Sequence, residues 1–144
     1  MTKTIFVLNG PNLNLLGARE PDQYGSTTLA DIEKLARETA QDLGFAVDFR
    51  QSNHEGVLVD WIQEAGAAAH GLVINPAAYT HTSIAMHDAI RALAIPVVEI
   101  HLSNVFAREA FRAHSYVSPV ADGVLCGFGA HSYTLGIRAI VSKL

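Results

Sequence analysis

The sequence predicts an α/β fold: a doubly wound, five-stranded parallel sheet of order 2-1-3-4-5 with helices on both faces. Three observations carry that expectation. Short apolar runs alternate along the chain with stretches of helical periodicity. Most of the runs are continuously apolar, as strands covered on both faces are. One run alternates instead, which marks a strand with one wet face. Parallel neighbours need right-handed crossovers, so strands and helices taking turns point to this architecture.

Ile5-Phe6-Val7-Leu8 is the first strand and reads as buried. Eighteen residues, Gly10 through Thr27, then connect it to the first helix. Thr28-Leu29-Ala30-Asp31 has the Thr-x-x-Asp spacing of a capped helix start. Leu29, Ile32, Leu35, Ala36, Thr39, Ala40 and Leu43 continue one stripe, and Gly44 ends it. Phe45 to Arg50 is the alternating strand, placed at the sheet edge. A second helix is expected from about His54 to Ala69, with Leu58, Trp61, Ile62 and Ala65 inward. Gly71 to Asn75 is a central strand. A third helix should start near Thr82 and turn Met86, Ala89, Ile90 and Leu93 to the core. Pro96 to His101 is central again. A short helix is expected over about Val105 to Ala113, then a weak strand at Gly123 to Gly127, then a last helix from about Ala130 to Ser142. With the alternating strand at an edge, 2-1-3-4-5 is the simplest order, and it is the flavodoxin-like one.

The 144 residues suit one domain, 1–144. Hydrophobic residues make up 49% and charged residues 17%, enough to fill a core and leave apolar surface for a homo-oligomer. The net charge of −4 and the lack of a basic stripe argue against nucleic acid. Cys126 is alone, which excludes an internal disulfide and fits a reducing compartment. The first apolar run is too short for a signal peptide or a membrane span, so a cytoplasmic protein with no membrane partner is expected. No metal is expected, because the histidines lack close ligand spacing. Gly127-Phe128-Gly129-Ala130-His131-Ser132 is half a dinucleotide fingerprint without a third glycine, and too little chain follows to complete the unit.

Open parallel sheets bind ligands beyond the carboxyl ends of their strands. The three central strands end in Asn9, Asn75 and His101, and polar groups follow each: Asn12; Thr80, His81 and Thr82; Ser103 and Asn104. His101 is either a satisfied strand-end histidine or a general acid or base. Beside Ser103, Asn75 and His81, the second is favoured. His81 either caps the next helix or contacts a ligand. Asn75 before Pro76 is a turn signal, and its amide could equally hold a carboxylate or hydroxyl. Glu99 lies inside a buried strand and therefore needs a partner. Asp88 is off the apolar stripe of its helix, either a surface carboxylate or a group reaching a neighbouring subunit. Arg108 and Arg112 should share a helix face near an anion-binding helix start.

The long first connection is unusual, because such connections normally take about two to six residues. From about Leu15 to Gly25 it reads as a catalytic lid. It carries Arg19 and Tyr24. A free phenol, with pKa about 10, is a poor base at neutral pH, and a nearby guanidinium would favour the phenolate. The simpler reading is an anchor that packs the lid shut, and on the residues alone it is preferred.

Several stretches together resemble the type II 3-dehydroquinate dehydratases. They are Asn9-Gly10-Pro11-Asn12-Leu13-Asn14-Leu15-Leu16-Gly17 with Arg19-Glu20-Pro21 and Tyr24-Gly25; Gln51-Ser52-Asn53-His54-Glu55-Gly56; Ile74-Asn75-Pro76-Ala77-Ala78-Tyr79-Thr80-His81-Thr82-Ser83; Glu99-Ile100-His101-Leu102-Ser103-Asn104; and Phe111-Arg112 with Ser115-Tyr116. Ser132 departs from the glycine common there, and Leu102 is a mild apolar change. The resemblance implies a reversible dehydration of 3-dehydroquinate to 3-dehydroshikimate in the shikimate or quinate pathway, without cofactor, metal or Schiff-base lysine. It implies Tyr24 as phenolate base, Arg19 lowering its pKa, and an enolate steadied through a water near Asn12. His101 would be the general acid, oriented by Glu99. Asn75 and the backbone at Leu102 and Ser103 would hold the carboxylate, and His81 and Arg112 the ring hydroxyls. Asp88 would reach in from an adjacent subunit of a dodecamer of trimers.

Two rivals come from other classes. A binding module for a nucleotide or flavin would share the fold. A signalling receiver domain would need clustered aspartates at the strand ends, where this chain has Asn9 and Asn12.

Overall fold

A computed structural model describes residues 2–18 and 26–144. The five strands are β1 (Lys3–Asn9), β2 (Phe45–Gln51), β3 (Gly71–Asn75), β4 (Val97–His101) and β5 (Gly123–Cys126). They form one all-parallel sheet in the expected order, β2-β1-β3-β4-β5. β3 and β4 are buried along their whole length, and β2 lies at an edge.

The pleat sends alternate side chains to two cores. Ile5, Val7, Val73, Val98 and Ile100 face α1 (Leu29–Asp42) and α4 (His131–Ser142). Phe6, Leu8, Leu72, Ile74 and Val97 face α2 (Glu55–Ala68) and α3 (Ile84–Arg91). α1 starts on the expected capping box: the Thr28 hydroxyl accepts from the Asp31 amide, and the Asp31 carboxylate accepts from the Thr28 amide. Gly44, with φ +86°, turns the chain out of the helix. α3 starts one residue later than Thr82, on Ser83, whose hydroxyl accepts from the Met86 amide.

The expected helix over Val105–Ala113 does not form. Two 3-10 turns stand there instead, Val105–Ala107 and Ala110–Ala113, with Arg108 in extended backbone between them. Phe106 and Phe111 are 68% and 62% exposed, so the segment seats neither on the sheet, and the packed apolar stripe that gives a helix most of its stability is missing here. The crossover from β4 to β5 therefore contains no α-helix.

β1 and β3 leave the sheet side by side, with Asn9 opposite Asn75. The Gly10 amide donates to the Asn75 carbonyl at 2.8 Å. A Cβ on Gly10 would lie 2.2 Å from the Pro76 oxygen. Only glycine allows the two exits to press together in this way.

Candidate active site

The carboxyl ends of β1, β3 and β4 open onto one cleft. The loop after β1 contributes Pro11, Asn12, Leu13 and Leu16; the end of β3 and its 3-10 turn contribute Asn75, Ala77, Ala78 and His81; the end of β4 and its loop contribute His101, Leu102, Ser103, Val105, Arg108 and Arg112. Leu13 and Leu16 are buried and seat the first loop on the core. Asn12 and Ala77 hold positive φ, 69° and 52°. Asparagine tolerates that region, and Ala77 is held in it by its amide donating to Asn75 Oδ1 at 3.2 Å. Two irregular backbones thus line the cleft.

His101 closes β4 and is 6% exposed. Its Nε2 faces Oε2 of Glu99 in a short, buried contact. Among the described residues its Nδ1 has no hydrogen bond, so Nδ1 is the nitrogen left for a ligand. Glu99 does not line the cleft; it stands behind His101. Thr80 donates to Oε2 at 2.8 Å, Ser115 donates to the same oxygen at 3.0 Å, and Ser118 donates to Oε1. Burial alone would raise the Glu99 pKa. The bond and charge of His101, with the Ser118 and Thr80 hydroxyls, outweigh it and hold the carboxyl below its ordinary value. The strand glutamate that needed a partner has four.

His81 does not cap α3. Its Nδ1 donates to the His114 carbonyl at 2.7 Å. Burial, and then the nearby charges of His101 and Arg112, push its pKa down. A neutral ring protonated on Nδ1 presents Nε2 as an acceptor, suited to a ligand hydroxyl.

Asn75 is nearly buried, and both ends of its amide are engaged. Nδ2 donates to the Tyr133 hydroxyl at 2.9 Å, and Oδ1 accepts from Ala77. Tyr133 in turn donates to Asn9 Oδ1 at 2.6 Å. Asn75 keeps one amide hydrogen for a ligand, whereas Asn9 lies in the core and faces no cleft. Burial pushes the Tyr133 phenol well above its ordinary pKa, so it stays neutral.

Arg108 and Arg112 reach the cleft from extended backbone and a 3-10 turn, not from one helix face. Arg108 donates to Ser103 Oγ at 3.3 Å. Arg112 Nε donates to Glu109, and its guanidinium lies 5.0 Å over the Phe111 ring. At the start of this segment the Phe106 amide is already taken by the Asn104 side chain.

The cleft therefore gathers Asn12, Asn75, His81, His101, Leu102, Ser103 and Arg112. Asp88 lies elsewhere; its side chain is 71% exposed on α3 and accepts from His87. Arg19 and Tyr24 fall outside the described residues. Sequence reasoning missed Tyr133 and Ser118. A tyrosine on the apolar stripe of α4 was the only signal for the first, and nothing local signalled the second.

The family model described as "Dehydroquinase class II" matches residues 3–141. A protein of Rhizobium meliloti strain 1021 named 3-dehydroquinate dehydratase is 66% identical over 140 residues, covering 97% of this chain and 95% of that one. One of Brucella canis with the same name is 64% identical over 142 residues, covering 99% and 90%. The crystal structure of the type II dehydroquinase from Propionibacterium acnes superposes with a TM-score of 0.94 at 43% identity, covering 99% of this chain and 98% of that one. With its sheet order, its cleft and these relatives together, the chain belongs to the class II dehydroquinase family.

Proposed function

We propose that this protein is a type II 3-dehydroquinate dehydratase of the shikimate or quinate pathway. It removes water from 3-dehydroquinate to give 3-dehydroshikimate. One C–H and one C–O bond break, a C=C bond conjugated to the ketone forms, and water leaves.

The observation that carries this reading is a histidine in the wall of a polar cleft, held from behind by a buried carboxylate. An ionised Glu99 fixes the ring and stabilises an imidazolium, as a general acid requires. In the proposed reaction the Tyr24 phenolate, its pKa lowered by Arg19, takes the proton beside the ketone. The enolate is steadied by hydrogen bonds, one through a water at Asn12. His101 then protonates the departing hydroxyl from Nδ1. Asn75 and the backbone at Leu102 and Ser103 hold the carboxylate, and His81 and Arg112 hold ring hydroxyls. The lid, about residues 15–25, excludes water once ligand is bound. Asp88 serves a neighbouring subunit's site in a homododecamer of trimers, in the cytoplasm.

The direct test is to incubate purified protein with 3-dehydroquinate and follow ultraviolet absorbance of the conjugated enone. A rise that saturates with substrate is expected. A flat trace with intact protein sinks the assignment.

A further inference from the structure

Gln51-Ser52-Asn53 stands at the end of β2, and nothing in the reaction above uses it. The three residues sit beside the start of the β1 loop. The Asn53 side-chain Oδ1 accepts from the Asn12 amide at 2.9 Å and from Gln51 Nε2 at 3.1 Å. Gln51 Nε2 also lies 3.2 Å from the Gly10 carbonyl and 3.4 Å from Asn14 Oδ1. The Asn53 carbonyl accepts from the Tyr79 hydroxyl at 2.7 Å, across the cleft's other loop. Below it, the Ser52 amide donates to the Asn9 carbonyl at 3.1 Å and so extends the β1–β2 ladder to the loop's first residue.

Asn12 needs such support. It holds a left-handed φ of 69° at the head of a three-residue 3-10 turn, and its side chain caps nothing. Among the described residues its amide side chain makes no hydrogen bond, yet it lines the cleft. Backbone fixed through N–H with the side chain left free is the arrangement of a group aimed at a ligand.

We infer that Asn53, braced by Gln51, is a positioning residue that latches the Asn12 backbone and so aims the Asn12 amide at the reacting centre. The inference rests on the dehydratase reading for its catalytic consequence and on the hydrogen bonds alone for its geometry. A group that steadies the enolate acts in the transition state more than in the bound substrate. Loosening it should therefore lower kcat and leave KM nearly unchanged. Asn53 is exposed, so its replacement should not empty a core.

The test compares Asn53→Ala, Asn53→Asp, Asn12→Ala and the double variant Asn12→Ala/Asn53→Ala. Losing one positioning hydrogen bond should cost Asn53→Ala about tenfold in kcat with KM within about twofold. Asn53→Asp keeps an acceptor oxygen facing both donors and should recover most of the rate. If Asn53 acts through Asn12, the double variant should match Asn12→Ala, not multiply the two losses. Amide hydrogen exchange at Asn12 should speed up in Asn53→Ala and not in Asn53→Asp, whatever the enzyme acts on. Unchanged exchange at Asn12 would overturn the latch. So would an Asn53→Ala enzyme with wild-type kcat, an Asn53→Asp enzyme as slow as Asn53→Ala, or multiplicative losses. An inactive wild-type protein with the predicted exchange pattern would instead retire the dehydratase reading and leave the latch standing.

Discussion

His101 and Glu99 are two residues apart on one strand, so their side chains leave the same face of the sheet. That spacing lets a carboxylate grip an imidazole without help from another element. It leaves Nδ1 for a ligand, and on the proposed reaction that atom carries the proton to the leaving hydroxyl. His101→Ala should therefore lower kcat by about 10²–10⁴-fold. Tyr24→Phe should lower it by about as much, while a product analogue still binds with nearly wild-type affinity in a calorimetric titration. A Tyr24→Phe enzyme with normal turnover would refute the base. His81 is the other ring in the cleft and has a different task. Burial, with the charges of His101 and Arg112, lowers its pKa and keeps it neutral at neutral pH. Its bond to the His114 carbonyl, which by itself favours the charged ring, fixes the proton on Nδ1 and leaves Nε2 to accept.

Among the elements, the contact between the exits of β1 and β3 decides the cleft's shape. Gly10→Ala would place a Cβ 2.2 Å from the Pro76 oxygen and 2.7 Å from its carbonyl carbon, both backbone atoms. The two loops must then part, which disturbs Asn12 on one side and Ala77 on the other. A loss of roughly 2 kcal/mol or more is expected, read as a lower urea midpoint with a similar slope, together with weaker substrate binding. The segment after β4 shows the opposite case. Its sequence spacing suits a helix, yet it is held by single contacts: the Asn104 side chain on the Phe106 amide, the Ser115 hydroxyl on the Val117 and Ser118 amides, and the Thr80 backbone carbonyl on the Tyr116 amide. These contacts bring Ser115 and Ser118 to Glu99.

For the molecule as a whole, two buried groups make stability depend on pH at its acid and alkaline ends. The Glu99 pKa is below its ordinary 4.5 in the fold, so the unfolded chain binds the proton first. Its contribution is fully present above pH 4.5 and is lost as pH falls through the depressed folded value. Tyr133 behaves the other way. Its folded pKa is above the ordinary 10.0, so stability from keeping it neutral is present below pH 10 and drains away above it. Urea midpoints across pH should therefore fall on both flanks; Glu99→Gln should flatten the acid flank, and Tyr133→Phe the alkaline one. Exposed Phe106, Phe111, Phe128 and Ile84 leave apolar surface for the proposed assembly. If Asp88 completes a neighbour's site, then Asp88→Ala and His101→Ala proteins, each nearly inactive, should regain activity when unfolded together and co-refolded. No recovery in mixed oligomers would remove Asp88 from the shared site.

Local spacing carried much of this. Alternation in Phe45–Arg50 told an edge strand from the continuous runs of β3 and β4, because one wet face leaves a period of two. The Thr28–Asp31 box and Gly44 bounded α1, because caps act within a single turn. The gathering of Asn12, Asn75, His81, His101 and Ser103 followed from the strand-end rule once the strands were named, whereas Asn9 lies in the core and Arg112 comes from a 3-10 turn where a helix face was expected. Other features belonged to tertiary structure. Tyr133 joins Asn9 and Asn75 across 124 and 58 residues of chain, and Ser118 meets Glu99 across 19. The chain from 105 to 113 takes 3-10 turns and leaves its phenylalanines exposed, where the sequence spacing suits an α-helix. Hydrogen bonds between distant residues have no period in the sequence, and burial is a property of the packed molecule, so neither could be read before the chain was folded.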